Sequence, residues 1–228
     1  GKIVAVEINP TVTHNSYKNL ISCRPSECET PCSVHALSKD YHFKKSKALK
    51  ELHNVSLTSV FDWMDEGKVV AFLKARLQLD SNRVFARKTE VVPITQREAN
   101  RFLNEFHMLG ASRRQEYCYA LMYEGQVVQV QTFARWGREE GAFEARRLAT
   151  RSDFYVVGGV SRVTKRFIRD VNPVSIVAFS DLNLSWPDYD LMFNGFQRVS
   201  VNRPQKCWSK RKEWVLDRVR QDSLLIGC

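Results

Sequence analysis

The sequence predicts an α/β protein in two parts, residues 1–82 and 83–228, and three observations carry that expectation. Apolar strand-like runs alternate with helix-like runs through the first third, the order from which α/β layers are built. A capped helix and a β-rich hairpin follow. A Gly-Gly turn then separates a strand end from an amphipathic helix. With 228 residues and 43% hydrophobic content, the chain has material for more than one core.

In the first part, Ile3 to Ile8 is a compact apolar strand with Glu7 near its end. A long polar stretch, Thr11 to Asp40, holds Pro25, Pro31 and three clustered cysteines; loops of that length are usually functional or tied by a metal. Tyr41 to Leu52 reads as a basic helix, Ser56 to Phe61 as a short strand and Glu66 to Leu79 as a second helix.

The second part begins with a short strand, Arg83 to Lys88, and a turn around Pro93. Thr95 with Glu98 three positions on is a capping-box signature. Behind it, Ala99, Phe102, Leu103 and Phe106 repeat at helical spacing and make one buried face. Glu116 to Tyr123 and Gln126 to Phe133 flank Glu124-Gly125 as a hairpin, and Phe143 to Ala149 reads as a third strand. After Gly158-Gly159, the residues Val160, Val163, Phe167 and Val171 place an apolar face on a helix. Ser175 to Ser180 is a strand, and Asn194-Gly195-Phe196 opens the last one.

Lys and Arg number 35 against 25 Asp and Glu, for a formal charge of +10. That balance favours a polyanionic partner, because each neutralised phosphate releases counterions. No apolar run approaches the ~20 residues that span a bilayer, which argues against a membrane protein. The start of the chain has no signal-peptide pattern, and the cysteine usage fits a reducing cytoplasm better than a disulfide framework.

Glu7 and His14 are the candidate pair for metal-assisted chemistry, since a strand-end carboxylate can be a hard ligand and an imidazole can take a proton near neutrality. His42 and Lys45 lie one helical turn apart on a helix that also carries Lys44 and Lys47, a set suited to holding phosphate. The spacing of Cys23, Cys28, Cys32 and His35 supplies four ligands for a structural zinc, with free thiols or a disulfide as alternatives. In the second part, Arg162, Lys165, Arg166 and Arg169 share one side of the helix after Gly158-Gly159. Arg113, Arg114, Arg135, Arg138, Arg146, Arg147 and Arg151 add basic density around the hairpin.

Several blocks together resemble the phage homing endonucleases related to very-short-patch-repair nucleases. They are VAVEINPTVTHNS (4–16), KDYHFKKSKALKELHNVSLTSVFDWMDE (39–66), RVFARKTEV (83–91) and NEFHMLG (104–110), with VVGGVSRVTKRFI, SIVAFSD and NGF later in the same order. The resemblance implies a truncated restriction-endonuclease-like layer in residues 1–82, in a phage-infected bacterial cell. It also implies metal-dependent cleavage of double-stranded DNA with Mg²⁺ or Mn²⁺. Glu7 would then be a magnesium ligand or an acidic neighbour of the site, His14 the general base, and His42 and Lys45 supporting groups. The family's Gly after Asn is Pro10 here and its Trp before His is Thr13, and nothing precedes Gly1 to supply the family's upstream acidic ligand.

The order of elements after residue 83 resembles an N-acetyltransferase-like α/β domain, in which the Gly158-Gly159 turn would cradle a phosphate. Tight helix–strand packing is the competing role for those glycines. Two further functional readings stay open. One is an acyltransferase or DNA-base-modifying enzyme, for which Gly159→Glu would block the donor. The other is a non-catalytic DNA-binding module.

Overall fold

The computed structural model describes residues 3–9, 41–61, 64–77, 79, 82–137, 139–181, 195–201, 205–208, 214–218 and 221–227. His14, Cys23, Cys28, Cys32, His35 and Arg138 lie outside the described residues. Two compact units emerge. One comprises residues 1–64, 180–189 and 200–222; the other comprises 65–179, 190–199 and 223–228.

In the first unit, strand β1 (Ile3–Asn9), helix α1 (Tyr41–His53) and strand β2 (Val55–Phe61) form a parallel pair joined through a helix, with Ile3 opposite Val55 and Glu7 opposite Ser59. Parallel neighbours need such a crossover, and β2 is buried on both faces, with Leu57 on one and Thr58 and Val60 on the other. A small antiparallel pair, β11 (Gln205–Trp208) with β12 (Trp214–Arg218), belongs to the same unit.

The second unit opens with helix α2 (Glu66–Leu77) and strand β3 (Asn82–Phe85). The expected strand to Lys88 is cut short by a 3-10 turn at Ala86–Lys88. There the Thr89 amide and hydroxyl both donate to the Ala86 carbonyl, at 3.0 and 2.7 Å. Strand β4 (Glu90–Pro93) occupies the position expected to be a turn. It is the outermost strand of its sheet, the place where a proline's missing amide costs no ladder bond.

Helix α3 (Gln96–Phe106) starts on the capping box the sequence announces. The Thr95 hydroxyl accepts from the Glu98 amide at 3.2 Å, and the Thr95 amide donates to the Glu98 carboxylate at 2.8 Å. Strands β5 (Tyr117–Tyr123), β6 (Gln126–Arg135) and β7 (Ala142–Thr150) run on as a meander. Strand β8 (Phe154–Val157) pairs in parallel with β3, and helix α4 (Gly159–Val171) leads into β9 (Ser175–Asp181). With β10 (Gln197–Val201) and β13 (Gln221–Gly227), seven strands make one sheet in the order β10-β13-β9-β7-β6-β5-β4.

Alternation along the strands sends side chains to the two faces of this sheet. On one face, Ala99, Phe102 and Leu103 of α3 pack with Cys118, Ala120, Val130 and Ala149. On the other, Phe167 of α4 lies face to face with Phe133 at 4.0 Å and meets Tyr117, Tyr119 and Phe143 edge-on, the last being the geometry that aromatic quadrupoles favour. Helices α3 and α4 are thus each fixed by one half of the alternation.

Candidate functional site: a strand fork beside a helix start

Regular pairing in this sheet is interrupted between β5 and β6 at Leu121/Met122 and again between β6 and β7, and the second interruption bears on the candidate site. Along β6, β7 is paired to its end, from Arg135↔Phe143 to Gln129↔Thr150. The register steps from Thr132↔Arg147 to Phe133↔Ala145, so Arg146 is an extra residue on β7, a β-bulge. On its other side β7 pairs in parallel with β9 only from Ala142↔Ser175 to Ala145↔Ala178. The ladder to β9 stops where the bulge begins. Bulges bend their strand and end pairing, so the two parallel strands part beyond Ala145 and leave a fork whose open end is the C-terminal half of β7.

The bulge also decides where charges go. Glu144, Arg146 and Arg147 all serve the α3 side of the sheet. Arg146 Nη2 meets Glu144 Oε2 at 3.1 Å, Arg146 Nη1 donates to Ser112 Oγ at 3.4 Å, and Arg147 Nε donates to the Gly110 carbonyl at 3.2 Å. The Glu144 side chain is only 13% exposed. Burial pushes its carboxyl above the ordinary range, and the charges of Arg146 and Arg147 pull it back down. A carboxylate in that position is a stronger base than a solvated one. The buried Nε of Arg146 has no hydrogen-bond partner among the described residues.

Helix α4 begins at the same end of the sheet. Gly158 sits in the left-handed region at φ 78°, and no side chain caps the helix start. The next residue, Gly159, packs on Gln129, the partner of Thr150 at the end of β7. The start of α4, with its first-turn amides and the positive end of its dipole, therefore lies near the end of β7. Gln129 is buried, and its Oε1 has no partner among the described residues. Both roles foreseen for the glycines bear on this geometry. Gly158 supplies the left-handed turn, and Gly159 supplies close packing, because a Cβ there would come within 2.8 Å of Gln129 Cδ and 3.0 Å of Val156 Cγ1. Gly159→Glu would therefore break the packing before it could report on a ligand.

The basic stripe foreseen on α4 is divided by the structure. Lys165 and Arg169 are exposed. Arg162 instead donates from Nη2 to the Thr89 carbonyl at 2.9 Å. Arg166 pairs with Asp170 at 2.7 Å and donates to the Val91 carbonyl at 3.3 Å. Asp170 also accepts from the Tyr119 hydroxyl at 3.2 Å. Burial first, and the Asp170 charge second, push the Tyr119 phenol up to about 12. Arg113 and Arg114 are exposed after α3, while Arg135 is held by Glu116 at 3.4 Å. In the first unit, Lys47 is exposed and lies 3.7 Å from Glu51 one turn on. Glu7, His42, Lys44 and Lys45 have described backbone in β1 and α1, and their side chains are not described.

An open pocket of about 530 Å³ lies elsewhere in the second unit, beside Gly67, Lys74, Asn82 and Ser152. Its carboxylate, Asp153, is already held by Arg151 at 2.7 Å. Residues absent from the sequence reading as site members are Glu144 and Ser112. Arg146 and Arg147 were noted only as basic density. No local signal marks a bulge, so nothing in the residues themselves set this group apart.

No family model matches the chain, and no curated protein matches it. Among solved structures, it is similar to a GNAT family acetyltransferase from Elizabethkingia anophelis with acetyl-CoA bound. That likeness has 12% identity, covers 62% of this chain and 99% of that one, and has a TM-score of 0.41. An acetyltransferase of Bacillus subtilis in complex with CoA gives 12% identity, the same two coverages and a TM-score of 0.44. The ribosomal-protein-S18-alanine N-acetyltransferase of Escherichia coli gives 8% identity, 61% and 93% coverage and a TM-score of 0.42.

These findings correct the endonuclease expectation. The similar structures are acetyltransferases and not hydrolytic nucleases, and nothing supports the homing-endonuclease layer expected in residues 1–82. The Mg²⁺ or Mn²⁺ expected at Glu7 falls with it. Among the described residues no group of three or more His, Cys, Asp or Glu is placed to hold a metal ion. No described helix is long and apolar enough to cross a membrane.

Proposed function

We propose that the second unit is an acyltransferase-type domain that binds an acyl-CoA thioester at the fork and passes the acyl group to an amine. The observation that carries this reading is the β7–β9 ladder ending at the Arg146 bulge, beside the uncapped start of α4. A strand edge freed inside a sheet accepts an extended, amide-bearing ligand by main-chain pairing, and a helix start accepts its phosphates. The Arg146 Nε supports the fit, since it is a buried polar atom at the bulge with no partner among the described residues. The donor, when bound, supplies an acyl carbon on a sulfur leaving group.

The chain's own residues would do the rest. Gly159, Val160 and Ser161 would offer amides to the phosphates. Glu144, with its raised basicity, would take the proton that the attacking amine loses. Arg146 would keep that carboxylate oriented and, with Ser112, form the acceptor side, while Arg147 adds positive charge nearby. DNA is carried forward as the partner, supported by the +10 charge and by the exposed Arg113 and Arg114 next to Ser112.

Calorimetric titration of the full chain with acetyl-CoA tests the reading, with Ser161→Glu as the discriminating variant. A carboxylate in the first turn suits the helix dipole, so the fold keeps its melting temperature, while the charge repels phosphate. Saturable binding that weakens at least about ten-fold in Ser161→Glu is the expected result, a loss of roughly 1.4 kcal/mol. No binding by the unaltered chain, or equal binding by the variant, overturns it.

A further inference from the structure

The solvent face of the β3–β8 pair carries a second feature that the acyl-transfer reading does not use. In the parallel register Arg83 lies opposite Tyr155 and Phe85 opposite Val157, so these four side chains share one face. Val84 and Ala86, which alternate with them, are buried on the other side. The Arg83 guanidinium stands 5.6 Å from the Phe85 ring centre and 6.0 Å from that of Tyr155. Arg87, from the 3-10 turn, stands 5.1 Å from the same Phe85 ring. The result is a continuous ladder, Arg87, Phe85, Arg83, Tyr155, with Phe85 39% exposed although it is a large apolar residue.

Two properties of this ladder point outward. Among the described residues neither Arg83 nor Arg87 has a carboxylate partner, and Lys88 beside them is exposed. Attraction to the rings holds both guanidinium groups near the exposed strand face, so less rotamer freedom remains to be lost when they meet an anion. Single cation–π contacts are common, about one per 70–80 residues. Three of them sharing two rings on one exposed strand pair are a built surface rather than scattered instances.

We propose that this Arg–aromatic ladder is a docking platform for single-stranded nucleic acid. Phosphates would meet the guanidinium edges of Arg83 and Arg87, and unpaired bases would stack on the Phe85–Tyr155 face. Charge complementarity selects the occupant: a base-bearing polyanion matches cations interleaved with π-faces, whereas duplex DNA buries the faces that would stack. The platform uses no residue of the fork, so this inference and the acyltransferase reading can fail separately.

The test is fluorescence polarisation with a labelled single strand of about 12 nucleotides, a length within the range that such surfaces hold. The full chain is expected to bind it. An abasic strand of equal length is expected to bind roughly ten-fold or more weakly, because the stacking is gone. Phe85→Leu and, separately, Tyr155→Leu should each weaken binding by roughly ten-fold to a hundred-fold. Arg83→Gln with Arg87→Gln should flatten the salt dependence by about 0.7 per charge removed. Circular dichroism melting of every variant separates lost binding from lost fold. The proposal is overturned by equal binding of the abasic strand, by unaltered binding in folded Leu variants, or by the absence of binding altogether. Equal displacement by poly-glutamate would make this an acidic-peptide surface instead. Displacement by stoichiometric acetyl-CoA would assign the ladder to the donor's nucleotide end.

Discussion

Replacing Gly159 by alanine is the sharpest probe of how α4 is seated. In most helices this change stabilises, since alanine exceeds glycine by up to ~1 kcal/mol in an interior position and by less in the first turn. Here the added methyl group meets Gln129, with Cδ 2.8 Å away, and Val156 Cγ1 at 3.0 Å. Gln129 is 2% exposed and anchored in the middle of the sheet by pairing with Thr150 and Leu121, so its amide has little room to retreat. Overpacking of a buried site costs about 1–3 kcal/mol. Subtracting a first-turn propensity gain of roughly 0.5 kcal/mol leaves a net loss of about 0.5–2.5 kcal/mol, which for a chain of this size lowers the melting temperature by roughly 1–10 °C. Differential scanning calorimetry measures it directly. In a Gln129→Ala background the obstruction is gone, and the same glycine substitution should become neutral or stabilising, giving a coupling of about 1–3 kcal/mol. A Gly159→Ala protein as stable as the parent, or one whose loss is unchanged in the Gln129→Ala background, would refute this account of the turn.

Two further outcomes follow from the charges. Hydrogen bonding from Arg166, first, and from Tyr119 holds the Asp170 carboxyl below its ordinary range. A depressed folded-state value means stability that is present above the unfolded value and lost as pH falls through the folded one. Asp170→Asn should therefore be less stable than the parent at neutral pH, with the gap closing in acid below about pH 4; chemical denaturation at several pH values that finds a constant gap would contradict it. At the fork, Glu144→Gln should leave acetyl-CoA binding intact and lower turnover by roughly 10²–10⁴-fold, with loss of the acidic limb of the rate profile. Unchanged turnover in single-turnover assays would remove Glu144 from the chemistry.

Local signals in the chain set a large part of the second unit. Thr95 and Glu98 announced the start of α3, because a capping box needs only residues three apart. The Glu124-Gly125 hairpin and the apolar stripe of α4 were legible for the same reason: both residues of the turn take positive φ, and periodicity fixes the buried face. Pro93 misled, because a proline in an edge strand looks like a turn until the sheet order is known. The likeness of short blocks to nucleases misled more seriously, since no block defines a geometry and the expected Glu7–His14 pair is not described together.

What the residues alone determined about this protein is its α/β class, its surplus of positive charge and the ends of its best-signalled helices, all properties of neighbours along the chain. Only the tertiary structure decided where β7 leaves β9, which of the α4 arginines are spent inside the fold, and that Glu144 is desolvated beside Arg146. Those features depend on a one-residue register step between strands and on burial by distant elements. A sequence records the amino acid at position 146. It does not record that the strand opposite has no residue to match it.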